Sequence, residues 1–228
     1  MLTLALDTTT GSGSCAVVRD EVTLVEQEGD SRLPQASRLP GALQTALAAA
    51  SSSLADVDVF AVATGPGSFT GLRVGIATMQ GLAFATGRPL VGVSVFDALA
   101  SLAPADAKGG PLAVWIDAWR GEIYTTVYVG AVQQEAPAVE RPEDALARLG
   151  PRAWFIGDGV RPNLDLVRAS LGPGARVADP VAPPVAAAIG RAAARMVASG
   201  HRPAPDAIEP VYVRRPTAII VRDARRRG

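Results

Sequence analysis

A glycine-rich loop is the segment of this chain whose residue types come closest to a phosphate-binding or catalytic motif. Residues 64–75 read Thr-Gly-Pro-Gly-Ser-Phe-Thr-Gly-Leu-Arg-Val-Gly. Backbone amides of such turns bind phosphate groups in many nucleotide-binding proteins. A serine on a sharp strand-to-helix turn is the nucleophile of one large class of hydrolases. The loop therefore has to be compared with three kinds of site: a Walker A loop, a dinucleotide-binding loop and a nucleophile elbow.

None of these three motifs fits the loop. A Walker A loop requires Lys and then Ser or Thr after its last glycine, whereas Leu72 and Arg73 follow Gly71. A dinucleotide-binding loop requires its third glycine where this chain has Thr70, and a nucleophile elbow requires glycine where it has Pro66. The sequence instead predicts a tight turn from a strand into a helix.

The patterns on either side of the loop support that prediction. The run Val57–Ala63 is short and apolar, as is typical of a buried strand. Thr70 is a suitable N-cap for a helix over Gly71–Thr86. Gly71 and Gly75 lie four residues apart on one face of that helix, and a glycine there costs about 1 kcal/mol relative to alanine. We therefore expect another segment of backbone to approach this helix closely, either in a partner or within the chain.

Composition and charge are those of an ordinary globular chain. Of the 228 residues, 48% are hydrophobic and 19% are charged, which is enough for one large or two small cores. With 22 basic and 22 acidic residues the net charge is zero, so no overall field attracts nucleic acid or a membrane. The basic run of Arg222 and residues 225–227 is interpreted as a solvated terminus.

The same features predict a cytoplasmic protein. The single cysteine, Cys15, excludes an intramolecular disulfide and suits a reducing compartment. No uncharged apolar run approaches the roughly 20 residues that span a bilayer. The amino terminus runs directly into a strand pattern and shows no basic region or cleavage site of a secretory leader.

The pattern that opens the chain is repeated about a hundred residues later. Alternating leucines over residues 2–6 end at Asp7, and a turn and a return strand over 14–18 follow. After a stretch rich in proline and glycine, 103–111, an apolar run ends at Asp117 and a return strand covers 123–129. We therefore expect two lobes, residues 1–103 and 104–228, each opening on a strand, an aspartate, a turn and a strand. An amphipathic helix over Gln35–Ala50 is predicted in the first lobe.

Four segments of the chain together resemble the TsaB (YeaZ) family. Residues 65–75 carry the most specific match, and residues 4–9, 116–124 and 209–214 follow in the family's order. This family is the glycoprotease-like branch of the actin-like ATPase superfamily. The resemblance implies an α/β fold of two duplicated lobes with the actin-like (RNase H-like) topology, each a mixed sheet flanked by helices. It further implies a non-catalytic partner of TsaD in forming threonylcarbamoyladenosine on tRNA beside the anticodon. Where many members have His-Ser or His-Thr, this chain has Pro34-Gln35.

The resemblance also indicates where a nucleotide site lies in the wider superfamily. There the two hairpin turns hold phosphates between the lobes, and a glycine turn of the second lobe faces the adenosine. The matching positions in this chain are Asp7, Thr8, Thr9, Asp117, Gly157, Asp158 and Gly159. The alternative is that the aspartates simply cap their turns. Because no lysine accompanies the turns, we expect no cofactor other than weakly bound ATP or ADP.

Two further implications concern metal and partners. TsaD relatives bind a metal through two histidines on the helix after the next strand, where this chain has Val95 and Leu99, so no metal site and no catalytic residue are expected. The partner surface is expected on the two helices of the first lobe, at Leu39, Leu43, Leu47, Gly71, Leu72, Gly75, Thr78 and Gly81. Its expected occupants are a TsaD-like protein or, in isolation, a second copy of the chain. A second ATPase of the same biosynthetic pathway is a further expected partner. Contact with tRNA is expected only through the complex, and no membrane is expected to be involved. The alternative function is an independent ATP-dependent transferase that uses Asp7 and Asp117.

Overall fold

Two mixed β-sheets, one in each half of the chain, form the framework of the structure. The computed structural model describes residues 1–29 and 35–214. Pro34 and the basic run at Arg222 and residues 225–227 lie outside the described residues. No helix within the described ranges is long and apolar enough to cross a membrane.

The first sheet has five strands. They are β1 (Leu2–Asp7), β2 (Ser14–Arg19), β3 (Val22–Glu28), β4 (Val59–Gly65) and β5 (Leu90–Ser94), in the order β3-β2-β1-β4-β5. Strand β1 pairs antiparallel with β2 and parallel with β4. Helices α1 (Gln35–Ala49), α2 (Phe69–Thr86) and α3 (Val95–Ser101) belong to the same half of the chain. The predicted opening hairpins, the amphipathic helix and the strand before the glycine loop are all present.

The second sheet repeats the local arrangement of the first. Its elements are β6 (Pro111–Asp117), β7 (Ile123–Val129), β8 (Val132–Gln133), β9 (Ala138–Glu140), α4 (Pro142–Leu146), β10 (Trp154–Ile156), α5 (Leu164–Leu171), β11 (Arg176–Val177) and α6 (Ala186–Ala198). Strand β6 pairs antiparallel with β7 and parallel with β10, as β1 pairs with β2 and β4. The order is β11-β10-β6-β7-β8, and β9 also pairs with β7. The predicted two-lobed α/β fold is confirmed.

Both faces of the first sheet are covered, which explains why β1 is buried at every position. Leu4 and Leu6 point to a core shared with α1 and α2, whereas Ala5 belongs to a second core with Ile189 of α6. Helix α6 approaches the sheet closely, since a Cβ on Gly190 would lie 3.2 Å from the Cβ of Ala5. A helix late in the sequence thus packs on the amino-terminal sheet.

Helix α2 begins two residues earlier than the sequence suggests. Ser68, not Thr70, is the N-cap, and its hydroxyl accepts a hydrogen bond from the backbone N–H of Gly71 at 3.2 Å. Serine followed three residues later by a free backbone N–H is a favourable cap. Sequence patterns favoured Thr70 because it directly precedes the run of small and apolar residues.

The glycines on α2 face the chain's own β1–β2 turn. A Cβ on Gly71 would lie 1.9 Å from the carbonyl oxygen of Thr8, and one on Gly75 would lie 2.1 Å from the Thr8 hydroxyl oxygen. Gly71, Gly75 and Leu72 are buried within the lobe. Their assignment to a partner surface is therefore corrected: the close approach that their small size permits is to Thr8. Gly81 differs, because nothing lies within 4 Å of its would-be Cβ.

The contrast between two glycines on α2 gives a matched test of this packing. Gly71→Ala is expected to lower the free energy of unfolding by about 1–3 kcal/mol, because the new methyl group meets backbone that cannot move aside cheaply. Gly81→Ala is the control and is expected to raise that free energy by up to about 1 kcal/mol, since its site is exposed and open. Urea unfolding of both variants measures the difference. Equal stability of the two variants would contradict the packing against Thr8.

Candidate functional site

An apolar groove of about 630 Å³ lies between α1 and α2. Four residues of the predicted partner surface line it: Leu43 and Leu47 from α1, and Thr78 and Gly81 from α2. Leu39, predicted with them, is buried in the core beneath α1 and does not line the groove. The groove therefore lies on the two helices on which the sequence analysis expected a partner surface, and that surface stays a prediction.

Further lining residues come from positions that the sequence analysis did not select. Ala77 and Leu82 lie on α2, and the half-exposed Leu54 follows α1 in a short 3₁₀ turn. Ala77 stands four residues before Gly81, a spacing that places both on one helix face. The position of Leu54 could not be predicted from spacing, because a residue outside a regular helix or strand follows no periodicity that shows which way its side chain points.

No ionisable side chain from residues 1–29 or 35–214 lines this groove. Its polar contributors are the neutral side chains of Gln44, Ser52, Ser53 and Thr78. Contiguous apolar surface of this kind marks interaction sites on soluble proteins. A groove without acids, bases or nucleophiles that titrate has no means of general acid–base catalysis.

The positions predicted for a nucleotide site meet where the two lobes approach each other. The Asp158 carboxylate accepts a hydrogen bond from the backbone N–H of Asp117 at 3.0 Å, so the glycine turn of the second lobe is tied to the β6–β7 turn. Burial raises the pKa of Asp158 above its ordinary value, and the negative charges of Asp117 and Asp7 raise it further. The structure thus brings together the three aspartates that the sequence analysis selected.

Each opening aspartate caps its own turn. The Asp7 carboxylate accepts hydrogen bonds from the Thr9 backbone N–H at 2.8 Å, the Thr9 hydroxyl at 2.6 Å and the Thr10 hydroxyl at 2.6 Å. Asp117 accepts one from the backbone N–H of Trp119 at 2.8 Å. These contacts are those of aspartate-capped turns. The donors of the first turn are therefore directed at Asp7, within the chain.

The glycines of the second-lobe turn serve close packing. A Cβ on Gly157 would lie 2.0 Å from the carbonyl oxygen of Trp115, and one on Gly159 would lie 2.9 Å from the carbonyl carbon of Ile116. Gly157 also has a φ of +115°, which glycine adopts readily and other residues rarely do. Both glycines are required to seat this turn on β6.

A pocket of about 260 Å³ adjoins the turn, with residues 10–13 on one side and Asp158 and Arg161 on the other. Glu28 also lines it, so two carboxylates face a single arginine. This arrangement repels an anion as much as it attracts one. The two positions of the metal-binding histidines, Val95 and Leu99, are 0% and 2% exposed in the core around α3. In the described part of the chain, no group of three or more His, Cys, Asp or Glu side chains is arranged to hold a metal.

The raised pKa of Asp158 predicts a pH-dependent stability. A carboxyl group whose pKa is higher folded than unfolded destabilises the fold once it ionises, so this destabilisation is complete above the folded pKa and disappears below the unfolded value near 3.8. Asp158→Asn removes the charge and keeps an oxygen to accept the Asp117 N–H. The variant is therefore expected to be more stable than the wild type at pH 7 and to lose that advantage as the pH falls to about 4. Urea unfolding at pH 4, 5, 6 and 7 measures this. A constant difference across that range would contradict a charged, buried Asp158.

Comparisons with known proteins agree with this geometry. The family model for TsaD, tRNA N6-adenosine threonylcarbamoyltransferase, matches residues 35–153, which is more than half of the chain. The tRNA threonylcarbamoyladenosine biosynthesis protein TsaB of Escherichia coli is 32% identical over 223 residues, covering 94% of this chain and 95% of that protein. An uncharacterized protein of Mycobacterium tuberculosis is 36% identical over 143 residues, and the match spans 62% of this chain and 65% of that relative's length.

A solved structure shows the same fold over nearly the whole chain. YeaZ from Pseudomonas aeruginosa superposes with a TM-score of 0.73 at 28% identity, covering 92% of this chain and 99% of that one. The component A of (R)-2-hydroxyglutaryl-CoA dehydratase from Acidaminococcus fermentans, at 9% identity and a TM-score of 0.55, shares the fold alone. The length of the TsaB match and the agreement of fold lead to one conclusion: this chain belongs to the TsaB (YeaZ) family.

Proposed function

We propose that this chain takes part in threonylcarbamoyladenosine biosynthesis on tRNA as a non-catalytic partner that makes a TsaD-like transferase competent. The observation that carries this proposal is the uncharged apolar groove between α1 and α2. The proposed occupant is the corresponding pair of helices in a TsaD-like protein. In the absence of that protein, the groove pairs with a second copy of the chain. The proposed location is the cytoplasm, where the tRNA substrate is found.

The family match supports this choice of occupant. The TsaD family model covers residues 35–153, a range that contains both α1 and α2. A tRNA N6-adenosine threonylcarbamoyltransferase of Solidesulfovibrio magneticus is 55% identical over 56 residues, which are 25% of this chain and 15% of that protein. A TsaD-like chain therefore has segments similar to these, and two chains with similar helix faces can pair about an approximate two-fold axis. The pathway ATPase and tRNA meet the chain in the assembled complex.

The residues available for chemistry support a role without catalysis. Buried hydrocarbon side chains occupy the positions of the TsaD metal ligands, and neither valine nor leucine binds a metal. Asp7 and Asp117, the residues on which an independent ATP-dependent transferase would depend, are engaged in capping their turns. Because Glu28 and Asp158 face the adjoining pocket, we propose that ATP or ADP binds there weakly and serves no reaction.

A charge placed in the groove tests the docking surface. Ala77→Glu is expected to weaken binding of a TsaD-like protein more than tenfold, because pairing would bury a carboxylate without a partner in an apolar contact. Ala77 is exposed in the isolated chain, so the melting temperature should change little. Ala85→Glu is the matched control: Ala85 is also exposed on α2 but does not line the groove. Calorimetric titration measures both affinities. Equal affinities of the two variants would refute this site.

Reconstituted tRNA modification separates the partner from the independent enzyme. We expect the isolated chain to transfer no threonylcarbamoyl group, and the TsaD-like protein to need this chain for full turnover. Asp117→Asn keeps an oxygen that caps the turn and is expected to leave reconstituted activity within about twofold of wild type. Modification by the isolated chain, or its loss in Asp117→Asn with the complex intact, would favour the ATP-dependent enzyme.

A further inference from the structure

A second pocket, of about 420 Å³, opens at the amino-terminal end of α2. Its walls come from three separate segments: the glycine loop and first turn of α2 (residues 66–72), the β6–β7 hairpin (118–124) and the extended segment 211–214. It shares no lining residue with the α1–α2 groove or with the pocket beside Asp158. Its volume is within the range of small-molecule sites.

Two aromatic side chains in the lining are exposed. Trp119 is 47% exposed and Phe69 is 44% exposed. Phe69 is held in place, because the Arg73 guanidinium lies 4.0 Å from its ring centroid and the Tyr212 ring lies 5.2 Å away. Arg73 also donates a hydrogen bond to the Tyr212 hydroxyl at 3.2 Å. Because Arg73 covers the Phe69 ring, the aromatic side chain left for a base to stack on is Trp119, which makes no ring contact with the residues that the structure describes.

The hairpin that carries Trp119 presents it and its neighbour toward the pocket in an unusual conformation. Trp119 and Arg120 have φ values of +57° and +59°, a region that residues other than glycine seldom occupy. The Trp119 backbone N–H donates a hydrogen bond to the Asp117 carboxylate, and the Trp119 carbonyl accepts one from the Glu122 backbone N–H. These two hydrogen bonds hold the conformation. Residues kept in such conformations are concentrated at functional sites.

Among the residues that the structure describes, the charged members of the lining are two arginines, Arg120 and Arg214. Its other ionisable members are Tyr124 and Tyr212, and no described aspartate or glutamate lines the pocket. Arg214 is ion-paired with Glu122, whereas Arg120 is exposed and forms no salt bridge with any residue in 1–29 or 35–214. An exposed arginine that is not held in an ion pair is a favourable contact for phosphate.

A largely buried tyrosine completes the lining. Tyr124 is 8% exposed and lines the pocket. Burial raises the pKa of Tyr124 above its ordinary value, so the hydroxyl stays protonated at neutral pH and is able to donate. A tyrosine hydroxyl can both donate and accept hydrogen bonds, so one at the wall of a pocket can meet a polar edge of a ligand.

We propose that this pocket binds a nucleotide unit, with its base stacked on Trp119, its phosphate on Arg120 and a polar edge at the Tyr124 hydroxyl. An exposed aromatic side chain beside an exposed arginine matches a planar base linked to an anion better than it matches a simple anion or a peptide. The inference rests on the proposed role in tRNA modification for the source of that nucleotide, since RNA is then present in the complex. The same chemistry belongs to a free mononucleotide.

Direct binding to the full chain tests the pocket without any turnover. The probe is an unmodified anticodon stem-loop RNA, labelled for fluorescence anisotropy, and the variants are Trp119→Ala and Arg120→Gln. Each variant is expected to weaken binding about 5- to 100-fold, as removal of one stacking or phosphate contact does. Arg88→Gln is the control, because it removes the same charge from an exposed arginine beyond the opposite end of α2, about 27 Å away along the helix.

Three outcomes would overturn the proposal. One is wild-type binding no tighter than a Kd of about 10⁻⁴ M, the weak end of non-specific association. Another is an equal loss of affinity in Arg88→Gln and Arg120→Gln. The third is unchanged binding in both pocket variants with folding confirmed by circular dichroism.

Competition by AMP identifies the source of the nucleotide. Displacement of the labelled RNA at micromolar AMP assigns the pocket to a free mononucleotide, and competition only by RNA assigns it to a nucleotide of the RNA. Because no TsaD-like protein is present, the result does not depend on the docking groove.

Discussion

The contact between the β1–β2 turn and helix α2 determines the arrangement of the first lobe. The Thr8 hydroxyl donates a hydrogen bond to the Gly71 carbonyl at 2.7 Å, and Gly71 and Gly75 leave no room for a side chain between helix and turn. Because interiors are packed to crystal density, even one methyl group at this contact must displace backbone. The position of α2 is therefore fixed by a turn that is distant in sequence. Because α2 lines both the groove and the pocket, this contact also determines where they lie.

The duplicated hairpins show how similar local structure acquires different surroundings. Asp7 and Asp117 end equivalent strands, and each caps the turn that follows it. The first turn packs under α2 and buries Thr8 and Thr9, whereas the second presents Trp119 and Arg120 to solvent. The aspartate is needed in both places for the turn itself. Its presence at equivalent positions is thus explained without any phosphate, and what differs between the lobes is the surface that each turn carries.

The sequence predicted the parts of this structure that depend on local pattern. Alternating apolar residues located the strands of both hairpins, and leucines at helical spacing located α1. Spacing also showed that the glycines of α2 require a close neighbour, but periodicity cannot name that neighbour, and it proved to be Thr8 rather than another chain. The pocket at the start of α2 could not be predicted, because its lining residues lie in segments up to about 140 residues apart and only the tertiary fold brings Phe69 and Tyr212 together.

The groove and the pocket lie on different parts of helix α2. The groove is lined at Ala77 and beyond, whereas the pocket is lined by Ser68, Phe69 and Leu72. The 18 residues of α2 form one helix anchored near its amino-terminal end by Thr8, so a partner that packs on the groove presses on a segment already supported from below. A partner in the groove would contact lining residues that are separate from those of the pocket. The proposed docking and the proposed nucleotide binding therefore make no demand on the same side chains of α2.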